Sequence, residues 1–443
     1  MKRLYNNSWG VVVLVALLTT SCSEFLDIKP VGKVIPESYD DFRGMLTSSY
    51  ESLPGHRSLS TVRGDEVTLD PWGYSAGSLK DIYIWNDAAA DPTTLQFPWQ
   101  AFYKVIFNTN HIINEGGQAT NADEATINQM VGESYLLRAY MYFYLVNTYG
   151  DQYELANGHT QKGVPIVLDV DLERDYLPAT VAEVYEQVVS DLTQGLHLIN
   201  MEQQAKGLNY RFSKVSAYGF AARVYQFMNK WELALEYADK ALAINSELVD
   251  FNTLKEGDVM PFHFESVENV LAMEQTYYTN IAFDLMVSDK LKNAYDATGD
   301  LRLSVFIDGN KPTLGKNPEN KVSMRTAEFY LIKAEALANT KKFGDAKTAL
   351  LQLLQKRLIP DYYSEQEQAI KALSDDKVIP FIWQERFREL AFQGFRWYDL
   401  RRTTREEIVR VYDGEQYTLQ YNDSRYTLRF PQEAVENNPN LVN

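Results

Sequence analysis

Apolar side chains recur at steps of three and four residues through much of the chain, which is the spacing of one face of an α-helix. The stretch from Gly132 to Gly150 carries such a stripe, and Gly150 suits the end of the helix. A second amphipathic stretch, Val181 to Ile199, follows Pro178 and Thr180, which are typical of a helix start. The pattern therefore predicts a mainly helical protein.

An internal repeat becomes visible when the chain is compared with itself at an offset of 112 residues. In each copy an aromatic residue precedes an alanine by three positions, between two helical stretches. Small residues of this kind let paired helices approach closely, as in tetratricopeptide repeats. The repeat predicts a scaffold of helical pairs. The first copy contains Ala222, Tyr225, Trp231, Ala234, Ala241 and Leu242, and the second contains Ala334, Leu337, Phe343, Ala346, Leu353 and Leu354.

Two long stretches rich in glycine and proline interrupt the helical pattern, at residues 53–99 and 250–322. Both contain short aromatic or β-branched runs, which predict loops and small strands laid over the helical frame. Loops of this length in a compact domain usually have a function, and these contain too many aromatic residues for simple disorder. We expect the functional surface to lie in these two inserts.

The first residues have the pattern of an exported protein. Lys2 and Arg3 precede an apolar run of about ten residues, from Trp9 to Leu18, which suits a signal peptide and is too short to span a bilayer. The only cysteine, Cys22, follows directly. We therefore predict a signal peptide at residues 1–21 and lipid attachment at Cys22; the alternative is ordinary cleavage that leaves a free thiol.

The charge of the chain limits the classes of ligand. Its formal net charge of -17 disfavours a nucleic-acid partner, because such binders need basic surface. The histidines are too scattered for a zinc site, and neither a P-loop nor a G-x-S-x-G motif occurs. The acidic run Asp169 to Asp175 lacks the glycine of a calcium loop and is interpreted as a solvated stretch. We expect no cofactor and no metal.

The C-terminal region carries a family signature. Residues 383–402 read WQERFRELAFQGFRWYDLRR, which resembles the signature of SusD/RagB proteins and departs from it mainly at Gln393. Residues 132–151, 325–338 and the start at Cys22 also resemble the family pattern. Within the signature, helical spacing lets Glu385 pair with Arg388, or Glu389 with Arg386, so we interpret it as structural.

The resemblance implies a mainly α fold, a tetratricopeptide-like scaffold with loop-rich inserts and a few short strands. It implies one domain over residues 22–443 after the signal peptide. Within that domain we predict a tether at 22–40, an N-terminal part at 41–249 with the insert 53–99, the insert 250–322, and a C-terminal part at 323–443.

The resemblance also implies a function. SusD-like proteins are surface lipoproteins of the outer membrane that bind glycans and pass them to a SusC-like TonB-dependent transporter. We therefore expect a glycan ligand, that transporter as partner, a lipid anchor facing the cell exterior, and no enzymatic activity. Two alternatives stay open: a receptor for peptides or protein fragments on the same scaffold, and a surface glycoside hydrolase.

A glycan site needs aromatic rings for the C–H faces of sugars, and polar groups for their hydroxyls. Both inserts offer this mixture, and we expect the ligand to contact rings and polar groups from each of them. The candidate residues are Arg63, Asp65, Trp72, Tyr74, Trp85, Asn86, Tyr277 and Tyr278.

Overall fold

The central element of the fold is a long helix that is buried on nearly all sides. We describe a computed structural model, which covers residues 36–153, 160–169, 176–277 and 283–441. The predicted helix over 132–150 is the larger part of Glu124–Tyr149 (α5), which Asp123 caps by accepting from the backbone N–H of Thr126 at 2.8 Å, and it ends at Gly150.

The predicted helix after Thr180 is also present, as Val181–Leu198 (α6), and it packs along α5. Thr180 and Glu183 form a capping box at its start. Gly195 lets the helices touch, because a Cβ at this position would lie 2.6 Å from Cγ of Leu136 on α5. Any larger residue at Gly195 would therefore force these helices apart.

The two repeat copies form two helical pairs, Lys214–Phe227 (α7) with Trp231–Ile244 (α8), and Thr326–Asn339 (α11) with Phe343–Leu354 (α12). Helices α11 and α12 each begin 112 residues after their counterparts, so the sequence repeat is a structural repeat. The alanines that define it, such as Ala222 and Ala334, are fully buried where the helices meet. Helices α8 and α11 also contact each other, which joins the two pairs.

The other described helices surround these pairs. They are α1 (Tyr39–Glu51), α2 (His56–Arg63), α3 (Ala76–Tyr83), α4 (Trp99–Glu115), α9 (Asp289–Lys292), α10 (Arg302–Phe306), α13 (Pro360–Lys371), α14 (Asp375–Glu389), α15 (Arg396–Arg402) and α16 (Gln432–Asn437).

The described strands form antiparallel pairs only, and none of the pairs grows into a larger sheet. The pairs are β1 (Val67–Leu69) with β5 (Leu285–Val287), β2 (Lys162–Pro165) with β3 (Pro178–Thr180), β4 (Asn269–Leu271) with β8 (Met324–Arg325), β6 (Ile307–Asp308) with β7 (Lys311–Pro312), and β9 (Ile408–Tyr412) with β10 (Glu415–Leu419).

The insert at 53–99 contains more helix than the sequence predicts, because α2 and α3 lie within it. All eight residues of α2 are buried, although its sequence, HRSLSTVR, is polar. Several of its polar groups find partners inside the fold: Ser60 donates to the Tyr398 hydroxyl at 3.1 Å, and Arg57 donates to the carbonyl of Gln393 at 2.5 Å. The second insert has the predicted loops and short strands, together with the short helices α9 and α10.

The C-terminal signature is a buried charge network rather than a set of exposed helical pairs. Arg388 does pair with Glu385, as predicted, with Nε 3.1 Å from Oε1. Glu389 does not pair with Arg386. It lies 3.2 Å from Arg325 and 3.1 Å from Arg357, and Arg386 instead donates to Asp399 at 3.0 Å.

The prediction of a mainly helical, tetratricopeptide-like fold is confirmed. Contacts group Ser38–Asn443 into one compact unit, and Met1–Glu37 into another, of which the structure describes only residues 36 and 37. The predicted signal peptide, Cys22 and Tyr278 lie outside the described residues, and the predicted domain boundaries stay a prediction. None of the helices described is long and apolar enough to cross a membrane.

Candidate functional site

The two inserts meet at one end of a strand pair. Strand β1 comes from the first insert and β5 from the second, with Val67 opposite Val287 and Leu69 opposite Leu285. Because the strands are antiparallel, the loop that follows β1 and the residues that precede β5 lie at the same end. The expectation that both inserts contribute to one surface therefore has a physical basis in this pairing.

Three large rings project into solvent at this end, and we call Trp72, Tyr74 and Phe283 the ring platform. Trp72 is 86% exposed, Phe283 is 72% exposed, and Tyr74 is fully exposed. Trp72 and Tyr74 were predicted as ligand residues. Phe283 was not, and the only sequence signal for it was its place a few residues after Tyr278 in the same insert.

The backbone that carries the ring platform is held in place by Asp284. The N–H of Asp70 donates to the Asp284 carbonyl at 2.9 Å, and the N–H of Ser75 donates to the Asp284 carboxylate. Trp72 donates its own N–H to Oδ1 of Asp70 at 3.0 Å. Gly73 lies so close to the Asp284 side chain that a Cβ there would overlap it. The rings are thus displayed from an ordered turn.

The exposure of these three rings bears on ligand binding, because an aromatic side chain buries a large apolar area, about 150–250 Å², when it packs. Single exposed apolar residues are ordinary, whereas several in one region can mark a surface that binds a ligand or a partner. Exposed rings carried on an ordered backbone have the chemistry to stack on flat apolar faces, such as those of sugars.

Trp85 does not belong to this surface, which corrects the expectation for that residue. Its side chain is 1% exposed, its indole N–H donates to the Arg63 carbonyl at 3.1 Å, and the Arg410 guanidinium lies 4.3 Å from its ring centre. Tyr277 is likewise fully buried, against Phe392. Both rings are packed within the fold and lie outside the exposed surface of Trp72 and Tyr74.

Arg63 and Asp65 are buried too, in ion pairs. Arg63 donates to both carboxylate oxygens of Asp87, at 2.6 and 2.9 Å. Asp65 accepts two hydrogen bonds from Arg396, at 2.6 and 2.8 Å, and lies 2.6 Å from Lys290. Burial alone would raise the pKa of Asp65, but these two cations outweigh it and hold the pKa far below its usual range.

Asn86 lies on a separate cavity of about 770 Å³, which we call the Asn86 cleft. Its side-chain amide donates to Asp81 at 2.9 Å and to the Ala89 carbonyl at 3.0 Å. The other walls come from distant parts of the chain, and no spacing in the sequence brings them together. They include Tyr149, Lys162, Tyr417, Arg425 and Arg429.

The comparisons with known proteins agree with the fold. A family model described as SusD-like, starch-binding and associating with the outer membrane matches residues 24–226. A SusD-like protein of Formosa agariphila, P38, is 23% identical, in an alignment covering 91% of this chain and 93% of that protein. The resemblance to SusD-like proteins that the sequence indicated is confirmed.

Solved structures of SusD-like proteins share the fold of this chain. A SusD superfamily protein from Bacteroides thetaiotaomicron has a TM-score of 0.76 at 20% identity, covering 91% of this chain and 98% of that one. A laminarin-binding SusD-like protein has a TM-score of 0.60 at 17% identity, covering 83% and 92% respectively. At these identities the likeness concerns the fold.

Proposed function

We propose that this SusD-like protein binds glycans at the cell surface and delivers them to a SusC-like TonB-dependent transporter. The observation that carries the proposal is the ring platform of Trp72, Tyr74 and Phe283, which is exposed on an ordered turn between the two inserts. The description of the family model as starch-binding and the laminarin-binding structural relative support the same ligand class.

We infer binding without bond cleavage. The acidic groups of the turn that carries the rings are occupied by structural contacts, because Asp70 and Asp284 both accept hydrogen bonds from its backbone. Asp65, which precedes β1, is neutralised by Arg396 and Lys290. A glycosidase needs one carboxyl that donates a proton and a second that is free to act as base or nucleophile. Carboxylates held in this way are poor candidates for either role.

The binding proposal is tested by isothermal titration calorimetry on the chain from Ser23, which contains the whole unit Ser38–Asn443. The titrants are starch, laminarin and other glucans, and peptide digests. We expect saturable glycan binding that weakens about tenfold or more in Trp72→Ala and in Tyr74→Ala, because each ring stacks on the ligand.

Tyr421→Ala is the matched control, because Tyr421 is 74% exposed and lies outside the ring platform. Its affinity for the glycan should equal that of the unaltered chain. Binding to peptides alone, or glycan binding that ignores Trp72 and Tyr74, would overturn the proposal.

We further propose that lipid attached at Cys22 anchors the protein in the outer membrane. Two acyl chains give stable anchoring, since each buried methylene contributes about 0.8 kcal/mol. In cells fed a labelled fatty acid, the full chain should carry the label and sediment with membranes. The Cys22→Ser variant should lose both properties, and a labelled Cys22→Ser chain would contradict the anchor.

A further inference from the structure

The Asn86 cleft contains more basic side chains than its own acidic side chains can neutralise, although the whole chain has a net charge of -17. Lys162 and Arg429 both line the cleft and are exposed to solvent. Neither forms an ion pair with any carboxylate that the structure describes. In an acidic protein, unpaired cations that face the same cavity call for a functional explanation.

The other charges of the cleft are already matched. Asp87 is held by both terminal nitrogens of Arg63, and Arg425 lies 2.6 Å from Asp423. Within each pair the opposite charges offset each other, so neither of these two carboxylates is free to pair with a further cation.

The remaining acid of the cleft, Asp151, attracts the buried Arg401 guanidinium as well as Lys162. One carboxylate thus serves two cations and cannot neutralise both. The excess positive charge of the cleft is therefore carried by Lys162 and Arg429.

Lys162 and Arg429 lie beside two stacked aromatic rings, those of Phe430 and Tyr149. The Lys162 Nζ is 4.5 Å from the centre of the Phe430 ring, and Arg429 directly precedes Phe430 in the chain. Phe430 stacks on Tyr149, with ring centroids 6.1 Å apart. Partial burial lowers the pKa of Lys162, which fits a cation whose charge is only partly compensated.

We propose that the Asn86 cleft is a subsite for an acidic sugar, and that Lys162 and Arg429 bind its carboxylate or sulfate group. The inference rests on the proposed glycan-binding function and names the class of glycan. A guanidinium and an ammonium are the side-chain groups that bind such anions best. The Oδ1 of Asn86, whose amide nitrogen already donates to Asp81 and Ala89, can accept from a sugar hydroxyl.

The shape of the cleft fits part of a longer chain. An adjoining cavity of about 550 Å³ shares Asn86, Asp87 and Phe430 with it, so the two form one groove. Asp81, Asp91 and Glu436 line the adjoining cavity. Arg429 lines both cavities, whereas Lys162 lines only the Asn86 cleft. The anion-binding end of the groove is therefore the end at Lys162.

The test compares acidic and neutral glycans with the same backbone, by calorimetry on the chain from Ser23. Oligogalacturonate is paired with its methyl ester to probe carboxylates, and a sulfated galactan oligosaccharide with its desulfated form to probe sulfates. We expect the acidic member of at least one pair to bind about tenfold more tightly, with an advantage that shrinks as salt is added.

Lys162→Gln and Arg429→Gln should each weaken binding of that acidic glycan about tenfold and leave binding of its neutral partner unchanged. The unchanged neutral affinity also reports that the variants are folded. Lys255→Gln removes an exposed positive charge outside the cleft and should have no effect.

Equal affinities in both pairs, or acidic binding that ignores both substitutions, would overturn the acidic-sugar subsite. If neutral glycans still bind through Trp72 and Tyr74, only this inference fails. If no glycan of either charge binds, the proposed function fails with it.

Discussion

Glu66 is a carboxyl group buried next to the ion pair of Asp65 and Arg396. It accepts a hydrogen bond from the N–H of Phe392 at 2.9 Å, and its Oε2 has no hydrogen-bond partner among the described residues. Burial raises the pKa of Glu66 to about 8, and the charge of Asp65 adds to the effect. Glu66 is therefore protonated in the folded state at neutral pH.

This protonation makes the stability depend on pH. Between pH 4.5, the ordinary pKa of a glutamate, and pH 8 the folded state keeps a proton that the unfolded chain releases. The free energy of unfolding should therefore fall as the pH rises through this window, by at most about 1.4 kcal/mol per pH unit from Glu66.

Glu66→Gln removes the titrating group and keeps an acceptor for Phe392. Its stability relative to the unaltered chain should be constant below pH 4.5 and increase steadily up to pH 8. Urea unfolding at a series of pH values measures this difference. A difference that does not change with pH would show that Glu66 is ionised in the folded protein.

At the scale of elements, the C-terminal signature joins helices that are far apart in sequence. Glu389, on α14, binds Arg325 at the start of α11 and Arg357 after α12, and all three side chains are fully buried. Glu268, which precedes β4, completes the group with distances of 2.7 Å to each of these arginines.

Glu389→Gln should destabilise the protein by about 3–5 kcal/mol, because it leaves two buried arginines, Arg325 and Arg357, to share the single carboxylate of Glu268. Glu367→Gln is the control, since its partner Lys371 is exposed and such a pair is worth about 0.3–0.5 kcal/mol. Denaturant unfolding of both variants measures the two changes in the free energy of unfolding. Equal, small effects would mean that the buried network contributes little.

The sequence predicted the elements whose burial follows a periodic pattern. The stripes of α5 and α6 and the repeated alanines of α7 and α11 are of this kind, because each records contacts between neighbouring helices. Helix α2 was not predicted, because it is buried on every side and so has no periodic apolar stripe. Its polar residues have partners such as Tyr398, which lies more than 300 residues away in sequence.

At the scale of the molecule, the sequence indicated the region of the proposed binding surface better than its individual residues. Composition identified both inserts, and the pairing of β1 with β5 brings them together. Composition cannot distinguish an exposed ring from a buried one, so Trp72 and Trp85 looked alike. Their difference depends on Arg410, which comes from a distant strand and packs against Trp85.

The Asn86 cleft could not be predicted from the sequence for a related reason. Lys162, Arg425 and Arg429 become neighbours only when residues around Tyr149, the strand β2 and the segment after β10 fold against one another. Unpaired charge is a property of this assembly, and it has no signature in the local sequence.

Side-chain footprinting by hydroxyl radicals can show directly whether the ring platform contacts the glycan. The chain from Ser23 is oxidised with and without a saturating glycan that calorimetry has identified. We expect oxidation of Trp72, Tyr74 and Phe283 to fall when the glycan is bound, whereas oxidation of Tyr421 stays the same. If the glycan binds and these three rings remain as reactive as before, the ring platform is not the glycan-binding surface.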